Sequence, residues 1–389
     1  MVAGRPPRTA IPRIFHHLLF HSPHDRLSPR RFYQTSVIEV DLASVLEGGD
    51  PADCDSKGRP IARAREVCQL EGGPEETVRR VLGLCACVLR GGPFIALATS
   101  LGLQVYEGTG DRRGLRYFWP IPSSYSGPTG APHEATCVCF VRGTDGSEGL
   151  ALGTNAGLIY LFKVDAKGRF SPGECITGGL ASEVPVTVLT SHLQGRGGRG
   201  KGGASPDGAG STLVSGNDAG DVTVWDVDCA NGTAVAVATR APDPMVGADA
   251  PGIDPERGLG EGMGVAGLAL RGNWVGVLTS NGTVAVRSAA TLAPLAEFVA
   301  HSRFASTLCV HPERDTLLSC AEDATVMAWN PPTPGATELD VQLHAVWQSA
   351  PIVGVCWAGN NVVAVAGGVD QIVCWYTEPP PKRMSSRKG

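Results

Sequence analysis

The sequence predicts an all-β protein in which similar small sheets are arranged in a ring, and three observations support this prediction. A strand, a short turn and a second strand recur six times along the chain. The 389 residues include 51 glycines and 29 prolines, which is typical of a protein with many turns. The copies end mostly in a large aromatic residue. Because one such sheet cannot bury its faces alone, we expect neighbouring copies to stack.

The most complete copy lies between His301 and Asn330. It contains three segments in which apolar residues alternate with small ones, and the tetrapeptide Ala-Glu-Asp-Ala predicts a tight turn before the third. Four polar or aromatic residues follow in a fixed order along it: His301, Ser319, Asp323 and Trp329. That order resembles the hydrogen-bonded tetrad of WD-repeat blades. The resemblance implies a WD-repeat β-propeller, with these residues as a structural tetrad.

The six copies differ in length but keep one position in common. They begin at Phe94, Gly149, Thr212, Trp274, Thr316 and Val362. The place of the terminal Trp is taken in turn by Tyr106, Phe162, Trp225, Arg287, Trp329 and Trp375. We predict that Tyr106, Phe162, Trp225 and Trp375 close their blades as Trp329 does.

The repeats define the domain organisation. We expect residues 1–36 to form a basic, disordered tail, residues 37–377 the propeller, and residues 378–389 a second short basic tail. The segment SVIEVDL from Ser36 reads as a strand, and VLGLCACVL from Val81 begins the ring. Pairing of the N-terminal strands with the C-terminal repeat would remove the free sheet edges and give seven blades. Six blades are the alternative.

From about Pro60 to Thr377 the order of segments resembles the family of WD repeat-containing protein 54. The resemblance is carried by ALATSLGLQVYEG, by NGTVAV, and above all by AHSRFASTLCVHPERDTLLSCAEDATVMAW. It implies a stand-alone propeller that acts through protein contacts, that self-associates, and that works in the cytoplasm or close to membranes and vesicles. It implies no reaction and no catalytic residues. The basic N-terminus and a Gly-rich insert depart from the family.

Two patterns resemble catalytic or nucleotide sites. The residue types His, Asp and Ser also form nucleophilic relays, but inside a blade they would satisfy one another and would not face a substrate. The insert GRGGRGKGG, from Gly195 to Gly203, fits the spacing of a phosphate-binding loop. However, Gly202 follows Lys201 where Ser or Thr is required, and no helix can begin there. We therefore predict no enzyme activity, no cofactor and no metal site.

The same insert carries a local positive charge. Arg196, Arg199 and Lys201 are separated by glycines and form a candidate basic contact loop for RNA or an acidic protein, with a solvated linker as the alternative. The net charge of the chain is −5, which argues against a dedicated nucleic-acid binder. The chain has 12 cysteines and no Cys-x-x-Cys spacing, so we predict buried thiols in a reducing compartment.

Localisation rests on the ends of the chain. No apolar run approaches the roughly 18 residues needed to cross a bilayer. The N-terminus is rich in Arg and has a single acid, Asp25, as mitochondrial presequences do, although its prolines oppose a helix. The family resemblance, in contrast, implies a cytoplasmic scaffold or assembly subunit, associated with vesicles or cilia, that binds other proteins. The alternative is a propeller subunit imported into mitochondria for a membrane complex.

Overall fold

The computed structural model describes residues 36–41, 63–69, 80–89, 92–107, 114–123, 130, 132–143, 145–177, 184–191, 211–241, 264–331, 340–347, 350–358, 361–366 and 371–375. Every regular element of two or more residues in these ranges is a β-strand. The first fourteen strands are β1 Ser36–Asp41, β2 Arg63–Gln69, β3 Val81–Leu89, β4 Gly92–Thr99, β5 Gly102–Glu107, β6 Leu115–Pro120, β7 Ala135–Arg142, β8 Glu148–Thr154, β9 Ile159–Val164, β10 Glu174–Cys175, β11 Val186–Ser191, β12 Ser211–Asn217, β13 Val222–Asp228 and β14 Thr233–Arg240. The remaining eleven are β15 Val265–Arg271, β16 Trp274–Thr279, β17 Thr283–Ser288, β18 Pro294–Val299, β19 Ala305–Val310, β20 Leu317–Ala321, β21 Thr325–Asn330, β22 Asp340–Val346, β23 Ile352–Ala358, β24 Asn361–Ala366 and β25 Gln371–Trp375.

The strands pair antiparallel with their neighbours in the chain and form seven sheets in the described part. Five sheets have four strands, namely β3 to β6, β7 to β10, β11 to β14, β15 to β18 and β19 to β22. A sixth sheet contains β23, β24 and β25, and β1 pairs with β2 in a separate sheet of two. The first strands of successive sheets contact one another from β3 through β23. These first strands are therefore the innermost strands of the arrangement, and the all-β prediction is confirmed.

The six predicted strand-turn-strand segments are also confirmed. They are the pairs of β4 with β5, β8 with β9, β12 with β13, β16 with β17, β20 with β21, and β24 with β25. The terminal residue of each segment occupies an equivalent register position, where it pairs with an apolar residue of the preceding strand. The pairs are Tyr106 with Ile95, Phe162 with Leu150, Trp225 with Leu213, Arg287 with Val275, Trp329 with Leu317, and Trp375 with Val362.

The number of blades stays a prediction. The strand expected at Ser36 is present as β1, but its described partner is β2. Within the described ranges, neither β1 nor β2 forms a ladder with β25, the last strand of the three-stranded sheet. The joining of the two chain ends in a seventh blade is therefore not seen among these strands.

Apolar clusters fill the spaces between adjacent sheets. Both faces of the central strands are buried, as in β8, where every residue from Glu148 to Thr154 is buried. One cluster joins the sheet of β3 to the sheet of β7 through Phe140, Leu150 and Phe162. Another joins the sheets of β15 and β19 through Leu278, Leu308 and Trp329. Burial of this apolar surface against the next sheet is the main stabilising contribution.

Each innermost strand has a bulge after its first residue, which leaves one residue out of register. The six bulge residues are Leu82, Thr136, Thr187, Ala266, Ser306 and Val353. Where this residue has a hydroxyl, the hydroxyl donates to the carbonyl just before the bulge of the next sheet. The pairs are Thr136 with Val186, Thr187 with Val265, and Ser306 with Ile352. We call the contact between two neighbouring innermost strands a seam.

The seam between β11 and β15 offers a direct test of this hydrogen bond. The Thr187 hydroxyl lies 2.6 Å from the Val265 carbonyl oxygen. Substitution Thr187→Val keeps the shape but leaves that buried carbonyl without its donor, so we expect the free energy of unfolding to fall by about 1–2 kcal/mol. Denaturant titration measures this loss. The matched control is Thr223→Val, since the Thr223 hydroxyl meets only the exposed Thr239; equal losses in both variants would contradict the prediction.

Candidate functional site

One end of the arrangement carries the turns between the second and third strands of the sheets, and we call it the top face. These turns are Ser100–Leu101, Asn155–Gly157, Asp218–Gly220, Ser280–Gly282 and Glu322–Ala324. In five sheets the amide of one turn residue donates to the carbonyl of the residue that precedes the innermost strand. The donor and acceptor pairs are Ser100 with Arg80, Asn155 with Glu134, Asp218 with Pro185, Ser280 with Gly264, and Glu322 with Phe304.

The residues that precede the innermost strands therefore occupy equivalent positions on the top face. Arg80 and Glu134 lie at the first two and form an ion pair, with a shortest N to O distance of 2.5 Å. Phe304 lies at the fifth and is 50% exposed. It is the only aromatic among the exposed large hydrophobic side chains of the described residues. An exposed Phe on an otherwise ordered surface is typical of a protein contact.

The predicted tetrad adjoins this Phe through the turn that contains Asp323, since the amide of Glu322 in that turn donates to the Phe304 carbonyl. His301 and Ser319 are buried, and the Nε2 atom of His301 lies 2.8 Å from the Ser319 Oγ. On the other side of the ring, His301 Nδ1 lies 2.8 Å from the Thr325 Oγ1 and 3.4 Å from an Asp323 oxygen. The Thr325 hydroxyl and amide both donate to Asp323. His301, Ser319 and Asp323 are thus brought together, with Thr325 as an additional member.

Trp329 lies in the same sheet as this group, but it departs from the hydrogen-bonded tetrad that the sequence resembles. Its side chain is fully buried, and its ring meets Phe298 edge-on at 4.7 Å between centroids. Its Nε1 is buried, and no acceptor for it lies among the described residues. By contrast, the Nε1 of Trp225 donates to the Ser215 hydroxyl at 2.9 Å. Trp329 therefore contributes packing to its blade and no hydrogen bond to a described residue.

Burial sets the charge state of the network. Desolvation lowers the pKa of His301 below its usual value, although the Asp323 carboxylate nearby favours the protonated ring. Desolvation alone would raise the pKa of Asp323, but hydrogen bonds from Thr325 and from the Ser302 amide outweigh it and lower that pKa. At neutral pH the network therefore holds a neutral imidazole beside a carboxylate. All of its polar groups are used within the protein, so none is presented to a substrate.

The lowered pKa of His301 predicts a dependence of stability on pH. A histidine with a lower pKa in the folded state binds protons more readily when unfolded, so its contribution is complete above the unfolded value of about 6.5. Acidification through that value towards the folded pKa favours unfolding. We expect the thermal midpoint of the wild type to fall more steeply between about pH 7.5 and pH 5.5 than that of His301→Gln. Parallel curves for the two proteins would contradict this assignment.

The network positions the loop from Ser302 to Phe304. The Ser302 amide donates to Asp323 Oδ2 at 2.9 Å, and the Ala305 amide donates to the Ser280 carbonyl at 3.0 Å. Arg303 and Phe304 are exposed on this tethered loop. Arg303 has no ion pair with any described residue. The loop therefore presents a cation and an aromatic ring at a fixed place, with little conformational entropy left to lose on binding.

Two further exposed apolar residues flank this loop. Val299, at the end of β18, is 74% exposed, and Val346, at the end of β22, is 54% exposed. Val346 pairs with Thr325, and the amide of the next residue, Trp347, donates to the Ala324 carbonyl, so this strand end borders the same turn as Phe304. We name Val299, Arg303, Phe304 and Val346 the top-face patch.

The other predicted site residues lie apart from this patch. The Tyr106 hydroxyl donates to the buried Gln104 amide oxygen at 2.5 Å, and Phe162 packs edge-on against Tyr117 and Trp119. Tyr106 lies in the sheet of β3 and Phe162 in the sheet of β7. The side chain of Trp375 lies outside the described residues. So do Arg196, Arg199 and Lys201, the predicted basic contact loop.

Four polar residues that hold the remaining turns were missed by sequence reasoning. Thr99, Thr154, Asn217 and Thr279 end the second strands of their sheets, where the sheet of β19 has Ala321. The Thr99 hydroxyl donates to the Gly102 carbonyl at 2.8 Å. The Thr154 hydroxyl accepts from the Leu158 amide, Asn217 Oδ1 accepts from the Asp221 amide, and the Thr279 hydroxyl donates to the Thr283 carbonyl. A polar residue three positions before each turn glycine was the available signal. Side chains thus replace Asp323 in these turns.

The described residues were also compared with the requirements of a metal site, a disulfide, a reactive thiol and a membrane-spanning helix. Among them there is no group of three or more His, Cys, Asp or Glu placed to hold a metal ion. The eight cysteines whose side chains the structure describes form no disulfide. Burial raises the pKa of both Cys137 and Cys320 to about 12, so these thiols stay protonated at neutral pH. No helix in the described part could span a membrane.

Two curated proteins have related sequences. The chain is 28% identical to mouse WD repeat-containing protein 54 over 246 residues, which cover 62% of this chain and 60% of the mouse protein. It is 27% identical to rat WD repeat domain 54 over 292 residues, covering 72% of this chain and 73% of the rat protein. The alignment thus spans less than two thirds of the mouse relative. No family model matches the chain.

Solved structures show the same fold at low sequence identity. Sqt1 from Chaetomium thermophilum has a TM-score of 0.54 with 13% identity, and the match covers 87% of this chain and 76% of Sqt1. Sqt1 from Saccharomyces cerevisiae has a TM-score of 0.51 with 11% identity, and the match covers 78% and 72% of the two chains. The repeated sheets, the network at His301 and these comparisons lead to one conclusion: the chain has the WD-repeat β-propeller fold and is similar in sequence to WD repeat-containing protein 54.

Proposed function

We propose that this propeller is a non-catalytic scaffold that binds other proteins through the top-face patch. The observation that carries the proposal is the tethered loop that exposes Arg303 and Phe304. Aromatic and Arg side chains contribute most to protein interfaces, and recognition usually lies on loops that a rigid fold holds in place. Val299 and Val346 extend the apolar area around them. The hydroxyl, imidazole and carboxylate beside the loop serve to hold it.

The test compares two variants with the wild type in a gentle affinity purification of the tagged full-length chain. The double variant R303A/F304A removes the exposed cation and ring without touching a buried group. The control is Leu295→Ala on β18, since Leu295 is 52% exposed at the other end of that strand. We expect stoichiometric partners with the wild type and the control, and about tenfold lower recovery with the double variant. Equal recovery from all three proteins would contradict the assignment of the patch.

We propose further that copies of the chain associate with one another, as the resemblance to WD repeat-containing protein 54 implies. Native sizing of the purified protein tests this point separately. A species of several copies without another protein supports self-association. A bare monomer that recovers no partner would overturn both the self-association and the stable scaffold.

We place the protein in the cytoplasm, near vesicles or cilia. The alternative, import into mitochondria as a subunit of a membrane complex, is favoured by the Arg-rich N-terminus. N-terminal sequencing of the protein from its own cells distinguishes the two locations. Cleavage near Tyr33 would support import, whereas a chain that begins at Met1 or Val2 would exclude a cleaved presequence.

A further inference from the structure

The outer strand β14 has a free edge within the described part of the chain. It is the last strand of its sheet, and its only ladder is with β13. No other backbone hydrogen bond involves Ala234–Thr239 in the described ranges. In an antiparallel sheet, alternate residues of an edge strand direct their N–H and C=O groups away from the sheet. Such an edge can accept one more strand from another chain.

Natural sheets usually block their edges with charged residues or Pro. Two of the other long outer strands carry a charge within the strand, namely Arg116 in β6 and Glu297 in β18. The centre of β22 is uncharged but contains the polar residues Gln342 and His344, and its one charge is the terminal Asp340. The segment Ala234–Thr239 of β14 reads AVAVAT, and the one charge of this strand is the terminal Arg240. Among these strands, β14 alone has a centre made only of Ala, Val and Thr.

The side chains of this segment are open to solvent. Val235 is 67% exposed and Val237 is 55% exposed. Val237 is the residue that a bulge leaves out of register, but Leu295 has the same place in β18 and Gln342 in β22. The bulge is therefore a common feature of the outer strands. It does not account for the uncharged centre of β14.

The charges next to β14 indicate what kind of strand would fit. Asp226 is exposed and faces Val235 across the ladder, and it has no ion pair with any described residue. Asp228 is exposed beside Thr233 and accepts hydrogen bonds from Asn231, while the nearby Lys163 is paired with Glu174. One end of the edge is therefore negative. A strand that carries Lys or Arg at that end would complement it.

We propose that β14 is a docking edge for an extended segment of another protein, which adds as a fifth strand of this sheet. The segment is uncharged and rich in β-branched residues at its centre, and it carries a basic residue at the end beside Asp226 and Asp228. Backbone hydrogen bonds supply the attachment, and Val235 and Val237 pack against its side chains. This site is separate from the top-face patch.

A designed peptide tests the proposal with the full-length chain. The probe is an eight-residue capped and fluorescent peptide of alternating Thr and Val with one terminal Lys, and the control probe has Pro at its centre. We expect the first peptide alone to bind, and to slow amide hydrogen exchange in residues 234–239. Substitution Val237→Lys should weaken binding about tenfold or more, because it places a charge on the edge. Leu295→Lys, at the matched place of β18, should leave binding unchanged.

The outcomes are distinct. Failure of the wild type to bind, or equal binding by Val237→Lys, would overturn the proposal, as would binding of the Pro-containing peptide. Binding without protection of residues 234–239 would also overturn it. A wild type that dimerises and a Val237→Lys variant that does not would show that a second copy fills the edge, and would overturn the assignment to another protein. Binding that persists in R303A/F304A separates this site from the top-face patch.

Discussion

Substitution Gly282→Ala is expected to lower the free energy of unfolding by about 3 kcal/mol or more. Gly282 has a φ of +91°, a conformation that costs an L-residue roughly 1–2 kcal/mol. A Cβ atom there would lie 2.2 Å from the His301 carbonyl oxygen and 2.8 Å from its carbon. Both contacts are with backbone, so neither can be relieved by a side-chain rotation, and overpacking adds about 1–3 kcal/mol. Denaturant titration of the two proteins measures the difference.

Gly272→Ala is the matched control for this prediction. Gly272 lies in the same sheet with a φ of +55°, but no atom lies within 4 Å of the place its Cβ would take. Gly272→Ala should lower the free energy of unfolding only by the cost of the positive φ, about 1–2 kcal/mol. A loss in Gly282→Ala no larger than that of Gly272→Ala would show that the contact with His301 is not destabilising. Because the clash would displace His301, the variant should also weaken binding at the top-face patch.

Substitution Trp329→Ala is expected to lower the free energy of unfolding by about 3–5 kcal/mol, because it leaves a cavity at a fully buried site beside Phe298. Trp329→Phe keeps most of the packing and loses no hydrogen bond, because the indole Nε1 has no acceptor among the described residues. We therefore expect a much smaller loss for it, about 1–2 kcal/mol. Thermal and chemical unfolding of the two variants provide the measurement.

A pair of double-mutant cycles distinguishes packing from hydrogen bonding at the two Trp positions. Combining Trp329→Phe with Ser319→Ala should give additive losses, because these side chains share no hydrogen bond. Combining Trp225→Phe with Ser215→Ala should give a coupling of about 0.5–1.5 kcal/mol, because one hydrogen bond joins them. A coupling of that size between Trp329 and Ser319 would contradict the geometry described above.

The strand pairs and three residues of the network, His301, Ser319 and Asp323, could be predicted because they follow from local pattern, whereas Thr325 was not predicted. Apolar alternation identifies β20 and β21, and the tight turn between them places Asp323 within reach of Thr325. The role of Thr187 could not be predicted in the same way. Its hydroxyl meets the carbonyl of Val265, a residue 78 positions away, only because two bulges bring those strands together.

The top-face patch was beyond sequence reasoning for a related reason. Phe304 belongs to the motif that identifies the best repeat, and nothing in its local pattern distinguishes a buried Phe from an exposed one. Its exposure is decided by its place just before an innermost strand, where the carbonyl is bonded to Glu322 and the ring is left outside. Equivalent positions hold Arg80, Glu134 and Gly264, so residue type gives no repeat signal there.

The seams have a consequence for how the ring comes apart. Hydroxyls of Thr136, Thr187 and Ser306 link three pairs of innermost strands, whereas Ala266 has none to offer the next sheet. There the tie is Arg271, the last residue of β15, whose guanidinium donates to the exposed Asp315 and to the Pro312 carbonyl. Each blade is stabilised chiefly by its neighbours. Heating should therefore separate two adjacent sheets at the weakest seam before the other sheets unfold. Salt would weaken this seam and the one between β3 and β7, where Leu82 has no hydroxyl and Arg80 pairs with Glu134, because both depend on ion pairs with an exposed member.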